Sequence, residues 1–266
     1  MRLDQQHKQR FRGTDGKEYN GKTENHRLGF EFMIRVERDD VVFALTGAGV
    51  SAESGIPTFR GVGGLWCNYR IEEVASPGAW ARDPALVWEF YSMRRRVAAA
   101  AKPNPAHLAL AELEAKLGDR LFLCTQNVDN LHERAGSRHV LHMHGDLFKS
   151  RCELCSRPPF EDQSGHEPPE SIPRCICGAR IRPHICWFGE VPFALDEIVA
   201  ALERCTMFVA VGTSGVVEPA ASFAAQVRGH AGTYYVGPEA PANAEAFDEC
   251  FPGEAGAILP RLFSVA

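Results

Sequence analysis

From Asp39 onward, short apolar runs alternate with longer segments whose apolar positions fall at helical spacing. The runs VVFAL (41–45), LFLCT (121–125), MFVAVG (207–212) and TYYVG (233–237) are almost free of polar interruption, as strands buried on both faces are. Between them, segments 83–101, 104–118, 192–205 and 218–232 repeat apolar residues every three or four positions. Two of these open on a capping residue followed by proline, Asp83-Pro84 and Asn104-Pro105, and the second stops at Gly118. Such residues begin and end helices because they satisfy the terminal turns at little conformational cost. Strands alternating with helices predict an α/β fold, a Rossmann-like, doubly wound parallel sheet.

Two stretches break this rhythm. Residues 1–32 are polar, of mixed charge and without a sustained period, which predicts a flexible N-terminal extension, with Met33 a natural beginning for the folded chain. Residues 151–183 are rich in Pro, Cys and charge and poor in large apolar side chains, so something must staple them. Cys152-x-x-Cys155 and Cys175-x-Cys177 bracket the proline-rich loop. Four thiolates at ~2.3 Å from one Zn²⁺ close a tetrahedral structural site, and the metal supplies folding free energy that the segment lacks. The single residue between the second pair is a short spacing, so Cys186, ahead of WFGE in a strand-like run, stands as an alternative ligand. The chain thus divides into an extension (1–32), a sheet domain (33–61, 119–147 and 187–266), and a smaller domain. The smaller domain combines a helical module (62–118) with a zinc-binding module (148–186).

Candidate chemistry concentrates after the apolar runs. In GAGVSAESGIPTFRG (47–61), Gly47-x-Gly49-x-x-Ala52 lets backbone approach a pyrophosphate at a helix N-terminus. The continuation is not that of a dehydrogenase: no recognisable second strand ends in an acid for the ribose. Instead Phe59 could shield a reactive sugar carbon and Arg60 could pair with phosphate, on a loop hinged by Gly61, Gly63 and Gly64. TQNVDNLHERAG (125–136) places Gln126, Asn127 and Asp129 at the carboxyl end of a parallel strand, where such sheets bind ligands. In HMHGDL, His142 and His144 fall on the same side of an extended segment, and either could act as a base near neutral pH.

Composition narrows the classes. With 266 residues, 45% of them hydrophobic, and a formal net charge of −5, the chain is an ordinary globular protein without a nucleic-acid footprint. No apolar run approaches the ~20 residues of a membrane span. Nine cysteines, an odd number without a charged-then-apolar opening, fit a reducing cytoplasm and thiolate chemistry. The expectation is a monomeric cytoplasmic protein with neither membrane nor nucleic acid as partner.

Taken in order from about Asp39 to the C-terminus, GAGVSAESGIPTFRG, TQNVDNLH, HMHGDL, the two cysteine pairs, RPHICWFGE and VGTSG resemble the sirtuins, NAD-dependent protein-lysine deacylases. The resemblance identifies His144, the histidine followed by Gly-Asp, as the general base. It implies that NAD is consumed: the acyl oxygen of an acyl-lysine attacks the ribose carbon as nicotinamide leaves. His144 then deprotonates a ribose hydroxyl that attacks the imidate, and loss of the lysine amine with addition of water gives O-acyl-ADP-ribose. By the same resemblance Asn127 holds the ribose and an ordered water, and Asp129 holds the nicotinamide carboxamide. Gly47, Ala48, Gly49 and Ser51, flanked by Ala52 and Gln126, cradle the pyrophosphate, and the Phe59–Arg60 loop closes over the ribose carbon. Gly212, Thr213 and Ser214 close the adenosine half, with Gly237, Pro238, Glu239 and Ala255 as further nucleotide contacts. Residues 237–239 depart from the family's Asn-rich stretch.

The acylated peptide is expected to add as a strand beside Trp187, Phe188, Gly189, Glu190 and Val191. Tyr91 and Arg94, three apart on one helical face, resemble the Tyr-x-x-Arg arrangement of the branch that removes succinyl and malonyl groups, where phenol and guanidinium hold a distal carboxylate. Acetyl-lysine should fit as well. The plain alternative is an exposed basic helix terminus, since Arg95 and Arg96 come next. Mono-ADP-ribosyl transfer is an alternative use of the same NAD site.

Overall fold

Six strands, all parallel, lie side by side in the order Glu249–Pro252, Gly232–Gly237, Met207–Val211, Val42–Thr46, Leu121–Thr125, Val140–His142. These come from a computed structural model that describes residues 34–58, 69–166 and 172–266, with backbone alone at 11–12, 18–19 and 65–66. The expected extension 1–32 lies outside the described residues, apart from an antiparallel pairing of Phe11–Arg12 with Glu18–Tyr19. Chain order runs outward in both directions from Val42–Thr46, so the topology reverses between that strand and Met207–Val211, which opens a crevice at their carboxyl ends. Register aligns the ends: Val236, Val211, Thr46, Thr125 and His142 form one row across the sheet. The loops after 42–46, 121–125, 140–142, 207–211 and 232–237 therefore leave from the same rim, whereas 187–191 follows a strand of another sheet.

Both faces are covered. Val42 and Ala44 point into a core with Leu110, Leu113 and Leu259, while Phe43 and Leu45 pack with Ile198, Phe208 and Phe223 on the other side. Burial on both faces is the reason these strands read as unbroken apolar runs. The two edge strands, 140–142 and 249–252, are only partly buried and carry polar residues, so their pattern falls below what periodicity detects. The expected helix 218–232 shrinks to a turn at Ala220–Ser222 and a short helix, Phe223–Val227. Residues 228–231 are spent turning back to Gly232, whose N–H is already paired with the Thr206 carbonyl at the head of the next strand pair.

A second core is built around aromatic side chains. Helices Ile71–Val74, Pro77–Arg82 and Pro84–Ala100 pack against the antiparallel strands Gly145–Cys152 and Ile181–Ile185, burying Trp80, Trp88, Phe90, Tyr91 and Trp187 together. Asp83 and Ser76 cap two of these helices through the N–H groups of Leu86 and Ala79. Helix Pro105–Leu117, grouped by sequence with the helical module, packs instead on the sheet through Leu110, Leu113 and Leu117. Its amphipathic face decides the partner, and position along the chain does not.

Arg95 ties this second body together. It is 3% exposed and donates to the carbonyls of Leu147 and Ser164, both at 2.7 Å, and to Ser150 Oγ at 3.1 Å, beside the Asp162 carboxylate at 3.3 Å. A guanidinium is tolerated there because its donors are met. Although burial pushes the Asp162 carboxyl up, hydrogen bonds from His166 and Ser150 and the Arg95 charge hold it well below the usual carboxylate range.

Candidate functional site

The strand-end rim and the aromatic body enclose one cavity of about 1460 Å³. On the sheet side it is lined by Gly47, Ala48, Gly49, Ser51, Ala52, Gln126, Asn127, Asp129 and His144. Further along the rim come Gly212, Thr213, Ser214, Gly237, Pro238, Glu239 and Ala255. Facing them are Tyr91, Arg94, Trp187, Phe188, Gly189 and Glu190. Phe59 and Arg60 lie outside the described residues. Val191 is 75% exposed and does not line the cavity.

The glycines of the rim have a reason of their own. The Gly47 and Gly49 N–H groups donate to the Val211 and Gly212 carbonyls at 2.9 and 2.8 Å. A Cβ on Gly47 or Gly49 would stand 2.8 or 2.7 Å from the Gly212 backbone, and Gly212 itself has φ +61°. The two loops cross at backbone distance at the point where the topology reverses, so no side chain fits between them. Tyr235 donates to the Thr213 carbonyl at 3.1 Å, and a Cβ on Gly237 would strike that phenol.

Beneath this rim the polar groups are committed to one another. Asn127 Nδ2 donates to the Gly47 carbonyl at 3.1 Å and to Ser51 Oγ at 3.2 Å, which leaves its amide oxygen to offer a ligand. Ser51 in turn donates to Asp129 Oδ2 at 3.1 Å, and Asp129 Oδ1 caps Leu131 N–H. Burial raises the Asp129 pKa, against these bonds and the nearby His142 and Arg94 charges. Thr46, Thr125, His107 and His132, fully buried behind this layer, were not anticipated from sequence.

Geometry separates the two histidines that spacing left equivalent. His142 is engaged at both nitrogens, Nδ1 to the Asn127 carbonyl at 2.9 Å and Nε2 to Glu133 at 2.7 Å. Burial opposes its charge, but the Glu133 carboxylate outweighs this and raises its pKa. His144 uses Nδ1 toward the Gln126 carbonyl at 3.1 Å, so its neutral ring keeps the lone pair on Nε2. Burial holds its pKa below the usual histidine value. Of the pair, His144 alone lines the cavity with a free basic nitrogen.

On the opposite wall, residues 187–191 form a turn rather than the expected strand; the strand before them ends at Ile185. Glu190 builds that turn by accepting from Trp187 N–H at 2.9 Å and from both terminal nitrogens of Arg182, whose guanidinium carbon lies 3.3 Å from the Trp187 ring centroid. Trp187 Nε1 donates to the Tyr91 hydroxyl at 3.1 Å. Burial pushes that phenol up to about 12, so it stays protonated and retains a proton to donate. The three consecutive arginines part ways: Arg94 lines the cavity, Arg95 is buried structure, and Arg96 is exposed.

Away from the cavity, the sulfurs of Cys152, Cys155, Cys175 and Cys177 lie within 4.8 Å of one another, with 3.6 Å between Cys152 and Cys177 and 3.7 Å between Cys155 and Cys175. A tetrahedron with ~2.3 Å zinc–sulfur bonds has edges of ~3.8 Å, so this donor set fits zinc. Leu154 and Cys155 N–H groups point at Cys152 Sγ, both at 3.4 Å, as a zinc knuckle requires. Cys186, the alternative ligand, lines the cavity instead.

Comparison with known proteins agrees with this arrangement. The Sir2 family model matches residues 47–219. An NAD-dependent protein deacylase of Caulobacter vibrioides is 49% identical over 223 residues, covering 82% of this chain and 93% of that protein. Among solved structures, a Sir2 homologue in complex with NAD superposes with a TM-score of 0.76 at 45% identity, covering 85% of this chain and 89% of the other. A mutant Sir2 homologue bound to 2′-O-acetyl ADP ribose gives 0.74 at 45% identity, covering 83% and 89%.

Proposed function

The chain belongs to the Sir2 family, and we infer that it is an NAD-dependent protein-lysine deacylase, consuming NAD⁺ and water and releasing nicotinamide, O-acyl-ADP-ribose and free lysine. NAD⁺ supplies an electrophilic ribose carbon and ribose hydroxyls. The observation that carries the reading is His144, a neutral histidine with its unprotonated nitrogen at a cavity that also holds the glycine rim. As general base, His144 Nε2 takes the proton of a ribose hydroxyl while the Gln126 carbonyl steadies Nδ1–H. The Asn127 amide oxygen accepts from the ribose, and Asp129 accepts from the nicotinamide carboxamide. Gly47, Ala48 and Gly49 border the pyrophosphate, with the 212–214 and 237–239 loops and Ala255 around the adenosine half. The four cysteines hold a structural zinc.

The acyl group is read at Tyr91 and Arg94. A succinyl or malonyl carboxylate would accept from the Tyr91 hydroxyl and the Arg94 guanidinium, while an acetyl group offers no carboxylate to either. The substrates are acylated proteins or peptides entering along residues 187–191, and the enzyme works as a cytoplasmic monomer. The net charge of −5 supports a protein rather than a nucleic-acid partner, and among the described residues no helix is long and apolar enough to cross a membrane.

The test is product mass spectrometry with NAD⁺ and matched acetyl-lysine and succinyl-lysine peptides. O-acyl-ADP-ribose from both is expected. Product from the acetyl peptide alone would remove the acidic-acyl reading, and ADP-ribosylated protein without O-acyl-ADP-ribose would sink deacylation itself.

A further inference from the structure

Helix Pro84–Ala100 carries two neighbouring stripes. Tyr91 and Arg94 form one and line the cavity. Trp88, Ser92 and Arg95, spaced four and three residues apart, form the other, turned ~100° around the axis from the first. Every member of the second stripe touches one short segment, Asp162 to His166, that lies between the two cysteine pairs. The Trp88 ring meets the His166 ring edge-on, with 4.4 Å between centroids. Ser92 Oγ accepts from His166 N–H at 3.0 Å and donates to the carbonyl of the same residue at 3.2 Å. Arg95 Nη1 reaches the Ser164 carbonyl at 2.7 Å and the Asp162 carboxylate at 3.3 Å.

The segment has a shape of its own. Asp162 N–H donates to the Phe148 carbonyl at 2.7 Å, which extends the pairing of Phe160–Glu161 with strand Gly145–Cys152. Asp162 Oδ1 then accepts from Ser164 N–H at 3.1 Å, and Oδ2 from Ser150 Oγ at 2.6 Å and His166 Nε2 at 2.9 Å. With Arg95, four donors converge on this one carboxylate, and the turn they hold sets where the Ser164 carbonyl and the His166 backbone lie. The aromatic packing of the helix is non-directional and leaves its rotation loosely set. Hydrogen bonds at Ser92 and Arg95 have narrow geometry and fix it.

We propose that segment 162–166 is a latch that sets acyl selectivity: by holding Ser92 and Arg95 it fixes the turn of the helix, and with it the place of Tyr91 and Arg94 in the cavity. Ser92, Arg95 and Asp162 are positioning residues. This rests on the acidic-acyl reading of Tyr91 and Arg94. A distal carboxylate must be met by phenol and guanidinium together, and such paired, charge-assisted bonds tolerate little displacement. An acetyl group offers no carboxylate, so its removal does not depend on that placement. Ser92 and Asp162 make their bonds within the second body, away from His144 and Asn127. The chemistry shared by both acyl groups is therefore left alone when the latch opens.

In the full chain, Ser92→Ala cuts the latch at the helix and Asp162→Asn weakens it at the segment. With NAD⁺ saturating, each should raise the KM for a succinyl-lysine peptide about fivefold, the worth of a lost hydrogen bond. The kcat for that peptide, and both constants for a matched acetyl-lysine peptide, should stay within about twofold of the parent. In an Arg94→Met background neither substitution should change the succinyl KM further. Equal losses on the two peptides, or an undiminished effect beside Arg94→Met, would overturn the proposal.

Because Asp162→Asn leaves Arg95 buried without its counter-charge and can impair folding, the unsubstituted protein provides a separate check. Linkage is reciprocal: a latch that favours carboxylate binding must itself be tightened by a bound carboxylate. Hydrogen exchange at the Ser164 and His166 amides, followed without NAD, should slow more with the succinyl-lysine peptide than with the acetyl-lysine peptide at equal occupancy. Equal protection by the two peptides counts against the latch. A parent protein that deacetylates but leaves succinyl-lysine untouched removes the acyl reading and the latch together. A parent active on both peptides, with selectivity unmoved by either substitution, removes the latch alone.

Discussion

The two walls of the cavity are built on different principles. The strand-end wall is a continuation of the sheet: its glycines are forced by backbone crossing at Gly212, and its polar side chains satisfy one another before any ligand arrives. The opposite wall rests on aromatic packing around Tyr91 and Trp187 and on a module held by four cysteines. One wall is fixed by the main hydrogen-bond ladder, the other by a staple some distance away. On the proposed reading, the chemistry common to every substrate falls to the first wall and discrimination among acyl groups to the second.

Removing zinc is the strongest way to set the walls apart. The described tryptophans, Trp80, Trp88 and Trp187, all lie in the aromatic core. A chelator is therefore expected to red-shift tryptophan emission and abolish turnover while most far-UV helix and sheet signal remains, since structural zinc sites contribute ~10 kcal/mol or more in small modules. A single concerted loss of both signals would mean the walls are one folding unit. On the strand-end wall, His144→Ala should lower kcat by about 10²–10⁴-fold with either acyl peptide and leave the emission unchanged. On the other wall, Arg94→Met should reduce desuccinylation by about 10- to 100-fold, the worth of a charged hydrogen bond. Deacetylation should hold within about threefold in that variant, because an acetyl group offers no carboxylate to the guanidinium. An equal loss on both peptides would make Arg94 a general structural residue.

The smallest effect is in pH. A histidine base must be neutral, and burial lowers the His144 pKa. The acid limb of kcat is expected below pH ~6.5, the ordinary histidine value; a limb above that value would point to another base. Stability has its own window. His107 is held neutral, its pKa pushed down to about 4 by burial. The unfolded chain therefore binds a proton that the folded one refuses, and stability falls as pH drops from ~6.5 toward that value. Thermal melts across this range give the slope.

Local pattern carried far for the sheet and less far for the small domain. Asp83 and Asn104 act as caps and Gly118 ends its helix, because a cap is a matter of a few adjacent residues. The carboxyl-edge loops were legible because a doubly wound topology sends every such loop to one rim. The strand expected at 187–191 was not there: Trp187 and Glu190 are drawn into a turn by Arg182, a partner on the preceding strand whose reach no period encodes. His107 could have drawn attention through the Asn104-x-x-His107 spacing, but that spacing alone says only that a helix begins.

Residues close along the chain were enough to set the alternation of strand and helix, the rim that gathers the ligand loops, and the two cysteine pairs. The folded arrangement was needed to choose which of His142 and His144 keeps a bare nitrogen, which of three arginines enters the cavity, and which face helix Pro105–Leu117 covers. The physical reason is the same in all three. A side chain's protonation, hydrogen bonding and burial are set by neighbours tens of residues away, and the sequence names those neighbours without saying where they meet.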